Sequence, residues 1–175
     1  MNNTPFRIGA VLVLALLAAS CQSDKKLQFC PGATSVLDAV VVTQFVGGAS
    51  AGGALYTAKI SDVKGSCQFD KKGKTSTSDV DIKFTATRPT AGAAATYNIP
   101  YFVAVTQAAR IVTRQQRTIT ISFDEGQTTA AAEEDISPID LVTQGDLKPY
   151  DYQILVGFQL TKEQYDYNKK TGIYQ

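Results

Sequence analysis

Three segments of the chain alternate strictly between apolar and polar residues. In 80–87 (VDIKFTAT) the apolar residues take the even positions, and in 117–123 (RTITISF) they take the odd ones. In 152–160 (YQILVGFQL) the even positions again carry the large apolar side chains. A period of two is typical of a β-strand with one buried face. We therefore predict three half-buried strands here.

Five further segments are less regular strand candidates, because they are rich in the valine, tyrosine and phenylalanine that suit pleated surfaces. They are 36–46, 55–63, 66–69, 99–107 and 136–142. The segments between them contain little that could be buried and are predicted as loops, namely 47–54, 71–78, 90–96 and 124–134. Seven or eight strands separated by turns favour an all-β, two-sheet sandwich.

The last segment has a different pattern. Thr161 and Gln164 have the spacing of a helix capping box, and Gly172 is a helix stop. We expect a short C-terminal helix of about two turns. The alternative is a tail whose Tyr165 and Tyr167 dock on a partner.

A short stretch before the last strand sharpens the fold prediction. The run 147–152 (LKPYDY) resembles the entry to strand F of fibronectin type III domains, although the tyrosine comes one residue early. The resemblance implies an immunoglobulin- or fibronectin III-like sandwich. It also implies a tyrosine corner, in which the hydroxyl of Tyr152, or of Tyr150, bonds back to the turn.

The N-terminus has the order of a secretory signal: a cation at Arg7, an apolar stretch over 8–17, small residues at 18–20, and then Cys21. The apolar run of about a dozen residues is too short for a membrane-spanning helix, which needs roughly 20. The segment therefore predicts export, either with a lipoprotein signal or with an ordinary signal peptide that ends beside a chance cysteine.

The run 17–21 (LAASC) resembles the lipobox of bacterial lipoproteins, except that Ala18 stands where that family prefers leucine. The resemblance implies cleavage before Cys21, acylation of its sulfur and anchoring on the periplasmic side of a membrane. By analogy with enterobacterial sorting, Gln22 favours the outer membrane.

These features divide the chain into three parts. Residues 1–20 are the signal peptide that is removed, 21–29 are a lipidated tether, and 30–175 form a single β-sandwich domain. The eight residues that follow Cys21, 22–29, reach about 26 Å when fully extended, so the domain is expected to sit close to its membrane.

Charge and cysteine content narrow the function. The chain has 17 basic and 16 acidic residues, and losing Arg7 with the signal peptide leaves 16 of each, a formal charge of zero. Nucleic acid is therefore not an expected partner.

Of three cysteines, Cys30 and Cys67 remain after lipidation. In an oxidising compartment we predict that they form a disulfide worth about 4 kcal/mol. The sequence has no CxxC motif and no histidine, which argues against a redox or zinc-binding role for these two cysteines.

Candidate chemistry is sparse. Without histidine the usual catalytic triads are absent, and we expect no enzyme activity and no cofactor. The carboxylates of 124–125 and 133–135 are interpreted as a solvated face rather than an acid–base pair. Calcium is a candidate because Asp79 and Asp81 share one face of a strand and Asp124, Glu125 and Asp140 sit at strand ends. Their spacing matches no recognised loop, so no metal site is predicted.

Aromatic residues suggest a binding surface. Pro100 and Phe102 share one face of their strand, and proline is best tolerated on an edge strand. An exposed Phe102 would form a docking edge; the alternative is that it packs beneath a loop. The predicted partner-binding surface consists of Tyr101, Phe102, Tyr165 and Tyr167.

Several strings together carry a wider resemblance: 29–31 (FCP), 36–39 (VLDA), 100–105 (PYFVAV) and 155–161 (LVGFQLT). They resemble alphaproteobacterial envelope lipoproteins of uncharacterised function, which supports the localisation and the fold only. We therefore expect a membrane-anchored periplasmic lipoprotein that acts as a non-enzymatic protein-binding or structural module, with another envelope protein as partner. The alternative is a lipoprotein that binds a small ligand or glycan, although the chain has no tryptophan to supply a sugar platform.

Overall fold

The computed structural model describes residues 29–47, 53–70, 72 and 74–173. The predicted signal peptide, Cys21 and the rest of the tether before Phe29 lie outside the described residues. The strands are β1 Gly32–Ser35, β2 Val41–Phe45, β3 Ala54–Phe69, β4 Thr75–Thr87, β5 Ala95–Gln107, β6 Arg110–Phe123, β7 Thr129–Val142 and β8 Tyr152–Phe158. Two 3₁₀ turns, Leu37–Ala39 and Pro149–Asp151, and one α-helix, α1 Lys162–Thr171, complete the fold.

The eight strands form two four-stranded sheets. The first sheet has the order β1-β8-β5-β6 and the second has the order β2-β3-β4-β7. Strand β1 runs parallel to β8, and every other pair is antiparallel. The predicted all-β, two-sheet sandwich with a short C-terminal helix is confirmed. The immunoglobulin- or fibronectin III-like character stays a prediction.

The core lies between the sheets and follows the predicted alternation. The inward residues of three strands are buried: Val80, Ile82, Phe84 and Ala86 of β4, Ile119, Ile121 and Phe123 of β6, and Tyr152, Ile154, Val156 and Phe158 of β8. Phe84 links the sheets, with its ring centroid 5.2 Å from Tyr101 and 6.0 Å from Phe158. Burying such a ring contributes about 2–3 kcal/mol to the stability of the fold. The alternating residues of these three strands supply many of the buried side chains, so the alternation accounts for much of the core.

Several strands are longer than predicted. Strand β4 begins at Thr75 and β7 at Thr129, so parts of the predicted loops 71–78 and 124–134 are strands. Ser76 and Ser78 are even buried. These serine-, threonine- and alanine-rich ends lack a hydrophobic pattern, yet β4 is paired along both edges, with β3 and β7. Backbone pairing, which side-chain pattern does not report, holds them in the sheet.

Other boundaries also differ. The two candidates 55–63 and 66–69 are one strand, β3, with a register shift after Ile60. The candidate 36–46 contains a 3₁₀ turn followed by β2, and the four-residue β1 was not predicted.

One end of the sandwich, called here the Cys30 end, contains the chain entry at 29–31, the described residues Asp70, Lys72 and Lys74 between β3 and β4, and the connections 108–109 and 143–151. The registers place Gly32 beside Gln153 and Gln107 beside Arg110 at this end. The predicted disulfide is confirmed here, with Cys30 and Cys67 joined at a Cα–Cα distance of 5.6 Å. The other end is called the far end.

Helix α1 is built from the expected capping signals. The Thr161 hydroxyl accepts from the Gln164 backbone amide, and the Gln164 side chain accepts from the Thr161 amide. Gly172 ends the helix with φ of 62°, a left-handed conformation that glycine adopts without strain.

Candidate interaction surface

The edge of the second sheet at β2 is covered by α1. Asn168 is fully buried and its Nδ2 donates to the Val41 carbonyl oxygen at 2.8 Å. Gln164 Nε2 donates to the Thr43 carbonyl oxygen at 3.3 Å. Because an unpaired strand edge is a template for adding another strand, these bonds remove β2 as a docking site.

The two tyrosines of α1 are placed by this packing. The Tyr167 ring contacts Phe45 edge-on at 4.8 Å between centroids, and it is half-buried. Tyr165 is also half-buried and lies 5.5 Å from the Lys169 ammonium. The helix prediction is correct for this segment, and Tyr167 is engaged within its own chain instead of lying on a free tail.

The first half of β6, Arg110–Gln116, is the most open strand segment in the described part of the chain. All seven of its residues are exposed, and Ile111 is 59% exposed. In the described residues β6 has one strand partner, β5, so its outer edge carries unpaired amide and carbonyl groups. We call this segment the β6 open edge.

The charge of the β6 open edge is of one sign. It carries Arg110 and Arg114 and no acidic residue. Within the described ranges, neither guanidinium has a carboxylate within ion-pair distance. Arg117, just beyond the segment, differs because its Nη1 lies 2.9 Å from Glu134 Oε1 on β7. The open edge therefore presents two cations that are available to an anionic group.

Phe102 borders this edge from the outer face of the first sheet. It pairs with Gly157 and Gln116, and a Cβ at Gly157 would come within 2.8 Å of its ring. The Arg114 guanidinium lies over the ring, 4.5 Å from the centroid. Phe102 is thus half-buried between Gly157 and Arg114. Phe102 is therefore neither fully exposed nor shown beneath a loop, since its contacts are with strand residues, and its docking role stays a prediction.

Tyr101 points into the core and corrects the predicted surface. It is 0% exposed, and so it does not belong to a docking surface. Its register partners are Arg117 and Phe158. Successive residues of a strand face opposite sides, so Tyr101 and Phe102 could not both have faced a partner.

The Tyr101 hydroxyl makes no hydrogen bond of normal geometry to the described residues, although Glu134 and Arg117 are its charged neighbours. Burial raises the pKa of Tyr101 far above its usual value, and the nearby Glu134 carboxylate raises that pKa further. The hydroxyl therefore stays protonated over the physiological range and offers no base.

The candidate carboxylates do not converge. Asp79 accepts from the Ser137 hydroxyl, and Asp140 accepts from Thr77 at 2.8 Å. Glu133 pairs with Lys83 at 2.9 Å. Among the described residues, no group of three or more acidic or cysteine side chains is arranged to hold a metal ion.

The tyrosines before β8 have different environments. Tyr152 is buried at the first position of β8, whereas Tyr150 is exposed and lies edge-on to Phe29 at 6.1 Å. Burial favours Tyr152 for the tyrosine-corner role, which stays a prediction.

Arg88 is a structural residue that sequence reasoning missed. Its guanidinium donates to the carbonyl oxygens of Gly92, Ala93, Asp124 and Gln127. Two loops of the far end are therefore tied to one cation. No local pattern could have revealed this, because the acceptors are backbone atoms up to 39 residues away.

No family model, curated protein or solved structure matches this chain. Within the described ranges, no helix is long and apolar enough to cross a membrane. The structural feature that bears on function is therefore the contrast between the covered β2 edge and the β6 open edge.

Proposed function

We propose that this protein is a non-enzymatic lipoprotein of the bacterial envelope, anchored through Cys21 on the periplasmic side, that binds another envelope protein along the β6 open edge. The observation that carries the binding role is the run of seven exposed residues on a strand with one partner. The anchoring role rests on the lipobox-like run that ends in Cys21.

The mode of binding follows from strand chemistry. An extended segment of the partner would add to the sheet beside β6, with main-chain hydrogen bonds supplying affinity. Ile111 and Val112, both largely exposed, would supply apolar contact at one end of that segment. Arg110 and Arg114 select a partner segment that carries carboxylates.

The same arginines argue against pairing between two copies of this edge. In such a pair, cations would face cations across the new strand boundary, which disfavours association. An acidic partner meets no such penalty. The preferred occupant is therefore a different protein.

The test is capture of partners from crosslinked native membranes with the lipidated protein, compared with an Ile111→Lys/Val112→Lys variant. Lysines on an edge oppose strand addition, so we expect the captured envelope protein to fall at least about tenfold. Leu37→Lys is the matched control, because Leu37 is 63% exposed and lies away from β6.

A Cys21→Ala variant reports on the anchor separately, and it should weaken capture by removing the protein from the membrane. An enriched protein whose capture is the same with the β6 variant would refute the edge as the binding site. A preparation without any enriched protein would refute the protein-binding role.

A further inference from the structure

The Cys30 end of the sandwich exposes apolar and basic side chains together. The apolar members are Phe29, Val142 and Tyr150, each more than half exposed. The basic members are Lys72, Lys74 and Lys148, all exposed. We call these six residues the Cys30-end surface.

Contacts hold these residues at one end. Phe29 and Tyr150 form an edge-to-face pair at 6.1 Å. The amide of Thr143, next to Val142, donates to the Lys74 carbonyl oxygen at 2.9 Å and ties the β7 end to the β3–β4 hairpin. The surface therefore combines parts of the chain that are distant in sequence.

The acidic residues of this end are partly committed to the backbone. Asp70 accepts from the amide of Lys74, and Asp151 accepts from the amide of Lys148. Asp146 is a further exposed carboxylate in the connection before β8. The lysine side chains of the surface have no carboxylate within ion-pair distance among the described residues. The three ammonium groups of the Cys30-end surface are thus not engaged in ion pairs with the described residues.

The far end differs from the Cys30 end in charge and not in apolar exposure, because Val46 at the far end is 59% exposed. Its cation Arg88 is held by four carbonyl oxygens, and the β6–β7 connection exposes Asp124 and Glu125. Strand β4 spans 13 residues, so the two ends are about 40 Å apart.

The position of Phe29 connects this asymmetry to the membrane. Cys21 is eight residues before Phe29, which allows a separation of at most about 26–29 Å. The chain therefore enters the domain through the surface that carries the exposed aromatic rings and lysines. Tyrosine and lysine together are the residue types favoured at a membrane–water interface.

We infer that the Cys30-end surface rests on the phospholipid headgroups of the membrane that holds the anchor, with its lysines against anionic lipid and Phe29, Val142 and Tyr150 at the interface. This inference rests on the proposed lipidation of Cys21. It orients the domain, so that the strands rise from the membrane and the far end points away from it.

The chain contains no tryptophan, so single tryptophans can report on this contact. The lipidated protein is reconstituted in vesicles of phosphatidylethanolamine and phosphatidylglycerol that contain brominated lipid. Tyr150→Trp and Val142→Trp should be quenched at least about threefold more than Leu37→Trp and Val46→Trp, which report from similarly exposed positions elsewhere. In vesicles of neutral phosphatidylcholine this difference should shrink.

A second experiment reverses the charges of the lysines in the Cys30-end surface. Lys72→Glu/Lys74→Glu/Lys148→Glu should lower the Tyr150→Trp quenching at least about fivefold, because each lysine near an anionic surface contributes attraction. Reversal of Lys162, Lys169 and Lys170 on α1 is the matched control and should leave it unchanged. Equal quenching of all four reporters, or none at Tyr150→Trp, would overturn the inference.

These outcomes are separate from those of the proposed function. The vesicles contain no partner protein, so failure of β6 binding does not affect them. Intact mass reports lipidation independently of quenching, and an unmodified Cys21 would remove both the anchor and this inference.

Discussion

The two long sides of the sandwich differ in how their strand edges are covered. On the β1 and β2 side, the Cys30–Cys67 disulfide fastens the chain before β1 to β3, and α1 covers the β2 edge. On the β6 and β7 side, one ion pair among the described residues joins the two strands, Arg117 with Glu134, and the first half of β6 stays open. The short β2 edge is covered by α1, whereas the long β6 edge is uncovered and has the charges of Arg110 and Arg114 as its protection. The β6 open edge is therefore accessible to a partner that can neutralise these two cations.

Two buried polar side chains differ in how far their hydrogen bonds are satisfied. On the covered side, Asn168 Nδ2 donates to the Val41 carbonyl oxygen, although Asn168 Oδ1 has no partner among the described residues. On the strand beside β6, the Tyr101 hydroxyl has no bond of normal geometry to the described residues. Removing a side chain that makes a hydrogen bond leaves its partner unsatisfied, whereas removing an unbonded group does not. Three variants test how far the two sides differ.

The largest effect is expected from Cys30→Ser/Cys67→Ser. The bridge closes a sequence separation of 37 residues, so its loss should lower the free energy of unfolding by about 4 kcal/mol. Denaturant unfolding measures this, and reduction of the wild-type protein is the control that should give the same loss. A change below about 1 kcal/mol would mean that the covered side does not depend on its crosslink.

Asn168→Ala is expected to cost about 1–3 kcal/mol, because it leaves the Val41 carbonyl oxygen without its donor. Hydrogen exchange of β2 should accelerate along with the drop in unfolding free energy. Lys170→Ala, on the exposed face of α1, is the control and should stay within about 0.5 kcal/mol of wild type. If both variants behave alike, α1 does not protect the β2 edge.

Tyr101→Phe is expected to have the smallest effect near neutral pH, within about 1 kcal/mol of wild type. Its effect emerges in alkali. Burial raises the pKa of Tyr101 in the folded state, so above the unfolded-state value near 10 the unfolded chain loses a proton that the folded chain retains. Wild-type stability should then fall by up to about 1.4 kcal/mol per pH unit from this residue alone.

The Tyr101→Phe variant should lose that part of the alkaline slope. Tyr56, whose pKa is raised by burial and then by Tyr97, contributes to the slope in both proteins. Tyr150→Phe, which removes a hydroxyl from an exposed ring, is the matched control. An identical slope in wild type and Tyr101→Phe would contradict the assigned cause.

The hydrophobic period predicted the strands that bury one face. Those around Phe84, Ile121 and Val156 are of this kind. The same period could not predict the β4 start near Ser76 or the β6 open edge. The first is held by backbone pairing, and the second is exposed on both faces, so neither has an apolar period.

The predicted surface was wrong at Tyr101 for a related reason. Tyr101 and Phe102 are adjacent and aromatic, but which of the two faces the core depends on the registers with β6 and β8. The C-terminal helix was predicted well because its signals, Thr161, Gln164 and Gly172, are local. Its docking on β2 joins residues 127 apart and leaves no local trace.

The disulfide also decides how the domain would carry a mechanical load. Strand β1 has four residues in register with β8, and a pull on the N-terminus would otherwise detach this short ladder first. Because Cys30 precedes β1 and is bonded to Cys67, the pull passes into β3, which pairs with β4 from Thr57 to Phe69. A force along that long ladder must shear many hydrogen bonds at once. The domain is therefore built to be held by its N-terminus without unravelling from it.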